Sequence, residues 1–261
     1  MLEIKDAVAV ITGGASGIGL ELTRYWVRNQ GKVVIGDVAE DALDKADKEF
    51  DDHVATVVCN VTREDDCARL ADTAIERFGK INLVVPSAGI IKDGLMLSTS
   101  RETGKVNRKM SLDQFKLVID INLTGVFLTV RECTARMIDN GCKGLICLIS
   151  STGSLGTAGQ INYSSTKAAV SVMPKVLTAE FFRRGLAHRL RCVAVAPGYV
   201  ATDLVKGMPQ KVLDKIVDQV PIGRLIEPQE VAALVGDIYR NEALAGDVFF
   251  IHGGIRLGSK G

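Results

Sequence analysis

Short β-branched apolar runs alternate along this chain with longer amphipathic stretches, the pattern of βαβ units that feed a parallel sheet. The runs predict strands at Ala7 to Thr12, Val33 to Asp37, Val54 to Cys59, Ile81 to Val85, Gly144 to Ile149, Arg191 to Ala196 and Asp247 to Ile251. Their near-continuous hydrophobicity, as in Leu145-Ile146-Cys147-Leu148-Ile149, is what strands covered by helices on both faces require. Helical stretches fall between them, from about Gly17 to Gln30, Asp41 to Phe50, Arg63 to Phe78, Ser111 to Asp139, Gln160 to Arg184, Val205 to Gln219 and Glu230 to Asn241. The expected fold is α/β: one Rossmann-like doubly wound domain spanning residues 1–261, a seven-stranded parallel sheet with helices on both faces. The polar, aperiodic stretch Leu97 to Lys109 reads as an inserted exposed loop or hairpin.

Composition narrows the partners. Basic and acidic residues nearly cancel, 32 against 31, and no basic run stands out, so no nucleic-acid partner is expected. No apolar run approaches the roughly 20 residues of a membrane span, and the N-terminus enters an apolar strand without a signal pattern, so a cytoplasmic protein is expected. The six cysteines match no CxxC spacing and His53, His188 and His252 stand apart from any ligand cluster, so no metal site is expected.

Chemistry concentrates at strand ends. The first strand runs into Thr12-Gly13-Gly14-Ala15-Ser16-Gly17-Ile18-Gly19 and then a helix, where glycines admit a pyrophosphate and free N–H groups receive it. Asp37, at the end of the second strand and followed by Val38, is spaced to accept hydrogen bonds from an adenine ribose. With no Arg or Lys at Ser16 or directly after Asp37 to neutralise a ribose phosphate, NAD(H) is favoured over NADP(H). The alternative for Asp37 is a plain helix cap. Tyr163 and Lys167 share one helical face, and Ser150 precedes Tyr163 by 13 residues at the end of the fifth strand. A free phenol is a poor base near neutrality, so a cationic Lys167 together with oxidised nicotinamide is expected to favour the phenolate, with Ser150 holding the substrate oxygen. Ser151 is the alternative hydroxyl; the spacing favours Ser150.

From about Lys5 to Leu257 these residues resemble the short-chain dehydrogenase/reductase family, through TGGASGIG, PSAG, Asn122 in INLTG, Ser150, YSSTK and PGYVATD. The resemblance implies a catalytic tetrad of Asn122, Ser150, Tyr163 and Lys167, with Asn122 holding a water in a proton relay. It also implies adenosine-side contacts at Asn60, Val61, Ser87, Ala88 and Gly89, and nicotinamide contacts along Pro197, Gly198, Val200 and Thr202. Asn122 alone also reads as a residue that caps or kinks its helix. AGIIKDGL, DINLTGVFL, GQINYSSTKAAV and PIGRLIEPQEVAALV are similar to bacterial 3-oxoacyl-(acyl carrier protein) reductases. That likeness implies a 3-oxoacyl thioester substrate, carried by acyl carrier protein or coenzyme A, with a small free alcohol the alternative, and a homotetramer. Several features depart from it: PSAG in place of the usual Asn-Asn-Ala-Gly, Asn60 in place of an acidic residue, and Asp37 against the usual NADPH. Of two basic carrier-docking positions only Arg184 is present, Gly141 occupying the other with Lys143 nearby. A substrate lid is expected at 204–220, with Leu204 and Met208 meeting substrate beside Gly198 and Ser150. A catalytically idle dinucleotide-binding protein is the competing class, and the complete tetrad argues against it.

Overall fold

The computed structural model describes residues 1–255; of Leu204 it describes the backbone alone, and the end of the family resemblance at Leu257 lies outside the described residues. Seven parallel strands form the sheet, in the order β3-β2-β1-β4-β7-β8-β9. They are β1 (Val8–Thr12), β2 (Lys32–Asp37), β3 (Val54–Val58), β4 (Leu83–Pro86), β7 (Gly144–Ile149), β8 (Leu190–Pro197) and β9 (Val248–Ile251). The alternation of apolar side chains above and below the strands builds one core on each face. On one side Ile11, Val33, Ile35 and Leu145 pack with Leu22 and Trp26 of α1 (Gly17–Arg28) and with Val235 and Tyr239 of α9 (Pro228–Arg240). On the other, Val10, Val34, Ile146 and Leu148 pack with Leu70 of α3 (Glu64–Phe78), Cys133 and Met137 of α5 (Gly125–Asp139) and Val170 of α6 (Ile161–Arg183). Helix α2 (Glu40–Phe50) closes the β2–β3 crossover. All six cysteines are buried and none is disulfide-bonded. Among the described residues no helix is long and apolar enough to cross a membrane.

Strand order reverses between β1 and β4, so the loops leaving their carboxyl ends diverge to opposite sides and open a crevice. At its floor the two loops all but touch. A Cβ on Gly13 would lie 2.9 Å from the Ala88 backbone, and the residue has φ +64°, so glycine alone fits.

Two predicted helices are broken in ways that matter below. Ser111 to Asp139 is not one helix: α4 (Leu112–Ile119), capped by Ser111 accepting from the Gln114 N–H, passes into a π turn over Asp120–Thr124 before α5 begins. The stretch predicted as a helix from Val205 to Gln219 is also two pieces, α7 (Asp203–Lys206) and α8 (Gln210–Val217), because Pro209, with no N–H to continue the first, stands with a non-helical ψ of 139° at the N-cap of the second. The inserted segment is an antiparallel hairpin of β5 (Leu97–Thr99) and β6 (Val106–Lys109), exposed along both strands apart from a half-buried Ser98. At its base the Met110 N–H donates to the Met96 carbonyl at 3.0 Å.

Trp26 ties α1 to the sheet: fully buried, it stacks edge-on against Tyr239 at 4.8 Å and donates its indole N–H to the Ala7 carbonyl at 2.9 Å. Trp26→Ala is expected to lower unfolding free energy by about 3–5 kcal/mol, measured by urea denaturation.

Candidate active site

A cavity of 520 Å³ follows the carboxyl edge of the sheet from Asp37 and Asn60 at one end, past the Gly13–Ala88 contact, to Tyr163 and Lys167 at the other. Three inter-strand steps separate β2 from β7, about 14 Å at ~4.8 Å per step, a span suited to an elongated ligand. Gly13, Ser16, Gly17, Ile18, Asp37, Val38, Asn60, Val61, Ser87, Ala88 and Gly89 line the near half. Ser150, Tyr163, Lys167, Pro197, Gly198, Val200 and Thr202 line the far half. Ala15 and Gly19 do not line it and act on its shape: the Ala15 N–H donates to Asp37 Oδ2 at 3.3 Å, and Gly19 packs against the Gly13 carbonyl, which a Cβ would approach to 2.2 Å.

No side chain caps the first turn of α1, although Ser16 stands at its N-cap. The positive end of this helix and its free N–H groups therefore open on the cavity, the environment an anion requires. At the β2 end, Asp37 is held from both sides, since its second oxygen accepts from the Ala39 N–H at 3.2 Å. Lys167 is the one basic residue among the described residues lining the cavity, and it stands at the opposite end. Among the described residues, the lining at the Asp37 end carries no cation.

The π turn explains the position of Asn122. Fully buried within it, Asn122 accepts the Ile90 N–H on Oδ1 and donates from Nδ2 to the Ile90 carbonyl, both at 2.8 Å. This two-way clamp fixes the loop after β4, the wall of the cavity. The Asn122 side chain is itself buried and does not line the cavity, which it reaches through Ile90.

At the far end Lys167 is buried and donates from Nζ to the Ile149 carbonyl at 2.8 Å, with its ammonium 5.6 Å from the Tyr163 ring centre. The two adjacent serines differ in orientation here. Ser150 turns inward, donating its hydroxyl to the Lys167 carbonyl at 3.0 Å and sharing a 2.7 Å hydrogen bond with Ser171. Ser151 is the hydroxyl that stands beside Tyr163, its Oγ and Tyr163 Cε1 lying 3.3 and 3.2 Å from the one point a Cβ on Gly153 would occupy, and it is oriented by accepting the Gly153 N–H at 3.0 Å. Chain counting favoured Ser150, but the strand ends at Ile149 and a short 3₁₀ turn over Thr152–Leu155, with Ser151 at its N-cap, follows at once, so of the two serines in the lining it is Ser151 whose hydroxyl comes beside Tyr163.

Electrostatics also differ from the sequence expectation. Burial raises the Tyr163 phenol above its ordinary value, opposed by the Ser151 hydrogen bond and reinforced by the Asp93 carboxylate. Burial also pulls Lys167 down to about 8. The protein's own groups therefore hold Tyr163 protonated, ready to give a proton. Of the predicted lid contacts, Met208 does not line the cavity, whereas Asp203 and Val205 do; the Leu204 side chain lies outside the described residues. Gly153, Thr157, Gln160 and Tyr199 line it without having been singled out in the sequence, and Ser151, the alternative hydroxyl there, lines it too. The YSSTK signal pointed at the helix but not at the turn folded beside it. Among the described residues no group of His, Cys, Asp and Glu converges as metal ligands do.

Residues 7–212 match the family model for short chain dehydrogenase. The chain belongs to the short-chain dehydrogenase family. It is an oxidoreductase of that family, whose members bind a nicotinamide dinucleotide. An uncharacterized oxidoreductase of Mycobacterium bovis is 35% identical over 233 residues, 88% of each chain. The 3-oxoacyl-(acyl-carrier-protein) reductase of Thermotoga maritima is 30% identical, covering 97% of this chain and 99% of the relative. Drosophila melanogaster 3-hydroxyacyl-CoA dehydrogenase type-2 is 32% identical with the same coverage. The crystal structure of 3-ketoacyl-(acyl-carrier-protein) reductase from Brucella melitensis complexed with NADH superposes with a TM-score of 0.82 at 25% identity, covering 97% of this chain and 99% of that one.

Lys167 gives a pH test. Between about 8, where the folded protein releases this proton, and 10.5, where the unfolded chain does, the unfolded state binds the extra proton, so stability rises with pH across that window. The thermal midpoint of the wild type is expected to gain on that of Lys167→Met between about pH 8 and 10.

Proposed function

We propose that this protein is an NAD(H)-dependent oxidoreductase that interconverts a secondary alcohol and a ketone. The observation that carries the reading is the cavity itself, with Asp37 held at one end and a Ser151–Tyr163–Lys167 cluster at the other. The dinucleotide would lie along Gly13 to Ile18, with its adenosine ribose on Asp37 and Val38, the adenine near Asn60 and Val61, and its nicotinamide near Pro197, Gly198, Val200 and Thr202. Bound there, it supplies the site of hydride transfer. The chain supplies the rest. Ser151 and Tyr163 hold the substrate oxygen from two sides, and Tyr163 gives its proton as the carbonyl is reduced or takes one as the alcohol is oxidised. Lys167, held by the Ile149 carbonyl, keeps a cation or its conjugate amine beside the phenol. Asn122 serves the same reaction as a positioning residue, through the Ile90 clamp.

Two substrate classes follow from the relatives. A 3-oxoacyl or 3-hydroxyacyl thioester is supported by the reductase and the hydroxyacyl-CoA dehydrogenase, each matching nearly the whole chain. A free secondary alcohol is supported by the cis-4-hydroxycyclohexanecarboxylate dehydrogenase of Sinomonas cyclohexanicum, 33% identical over 95% of this chain. Docking of an acidic carrier protein is the weaker form of the first reading, because Lys143, the basic group near the Gly141 position, is already paired with Glu242. The proposed assembly is a homotetramer through α5, α6 and β9, where Phe127, Val172, Val176 and Phe250 stand exposed.

Initial rates with acetoacetyl-CoA and with small alcohols, each with NAD(H) and NADP(H), test the reading. NAD(H) is expected to be preferred, and an equal or inverted preference would reject the assignment of Asp37. Asp37→Ala should raise the relative rate with the phosphorylated cofactor severalfold or more. Tyr163→Phe should abolish turnover while cofactor binding, followed by NADH fluorescence, persists. Ser151→Ala is expected to cost about 10² in kcat, whereas Ser150→Ala should act mainly on stability; the reverse ranking would restore Ser150.

A further inference from the structure

The loop after β4 crosses the N-terminus of α6, and its main chain is tied down at every step. The Lys92 carbonyl accepts from Gln114 Nε2 and from Asn162 Nδ2, each at 3.0 Å, and the Gly94 N–H donates to the Gly159 carbonyl at 2.8 Å. These ties fix Asp93 between them, and its Oδ2 accepts from Gln160 Nε2 at 2.7 Å. A carboxylate cannot donate, so Gln160 must give Asp93 its NH₂ end. Its carbonyl end is thereby turned the other way, toward Gly153 and Ser151 of the cavity lining. The position a Cβ would occupy on Gly153 lies 3.4 Å from Gln160 Oε1, 3.3 Å from Ser151 Oγ and 3.2 Å from Tyr163 Cε1, so the acceptor and the two reactive hydroxyl-bearing side chains face one niche. Asp93 also places negative charge near Tyr163, and its field favours positive hydrogen atoms over lone pairs there.

From this geometry we infer that Gln160 is a specificity-determining residue that accepts a hydrogen bond from a hydroxyl on the carbon next to the reacting one, with Asp93 as the positioning residue that orients it. The substrate class is then a vicinal diol or its α-hydroxy ketone. The inference rests on the proposed placement of the reacting oxygen at Ser151 and Tyr163, and it decides between the two substrate classes. A 3-oxoacyl thioester presents a second carbonyl oxygen close to its ketone, and that acceptor would face the lone pairs of another acceptor. A neighbouring hydroxyl satisfies Gln160, and a substrate without one leaves it unpaired.

The test compares 1,2-cyclohexanediol with cyclohexanol, which share a carbon skeleton, as dissociation constants for the NADH-loaded enzyme read by NADH fluorescence and as kcat/KM with NAD. The diol is expected to be favoured by about five- to tenfold, the net worth of one neutral hydrogen bond. In Gln160→Leu that ratio should fall to near one, and in Asp93→Ala, where the amide is free to turn over, it should fall at least halfway. Asp93→Asn, which keeps an acceptor, should retain more of it. A purely structural role for either residue would change both ligands alike and leave the ratio intact. A wild-type ratio near one, a ratio unchanged in Gln160→Leu, or no binding of either ligand would overturn the inference. Selective binding of the diol without turnover would uphold it while rejecting the proposed reaction. Turnover of both alcohols at equal efficiency would do the opposite.

Discussion

The contact between Gly13 and the backbone of Ala88 is the constraint on which the site depends. Two loops leaving adjacent parallel strands must separate to cover opposite faces of the sheet, and yet here they begin in van der Waals contact. Any side chain at position 13 would pry them apart, widening the floor of the crevice and tilting α1 away from it. The free N–H groups of that helix, the Asp37 carboxylate anchored to the Ala15 N–H and the Ile90 loop held by Asn122 all take their positions from this one close approach. The cavity is thus a property of the sheet's topology, trimmed by a few polar clamps.

Those clamps share a logic. Asn122, Gln114, Asn162 and Asp93 each spend their polar atoms on backbone or amide partners around the loop after β4, not on the cavity. Their cost is small because each sits where a donor meets an acceptor. The π turn is part of the same device: it carries Asn122 in a helix that a regular α-helical ladder would have rotated elsewhere. Burial then acts on Tyr163 and Lys167, raising the first and lowering the second, so that the protein favours their uncharged forms.

Much of this was legible in the chain. Parallel strands declare themselves by unbroken apolar runs, and the glycine-rich loop, Asp37, Tyr163 and Lys167 sit at strand ends or on one helical turn, where spacing maps directly onto space. What escaped was whatever depended on a local departure from regular geometry. The π turn carries no breaker residue, so Ser111 to Asp139 reads as one helix. Ser150 and Ser151 are neighbours of the same type, and only the direction in which the strand ends separates the hydroxyl that packs inside from the one that meets Tyr163. Gln160 was invisible as a site residue because its orientation is set by Asp93, far away in sequence.

The hairpin of β5 and β6 leaves the fold and returns to it through a single hydrogen-bonded gate between Met96 and Met110. A segment closed at its own base imposes no strain on its host, so its length and sequence are free to drift while Asp93 on one side and Gln114 on the other stay in place. Such an arm is a module: a change in its length or sequence would alter what the protein presents beside its cavity and leave the walls of the cavity as they are.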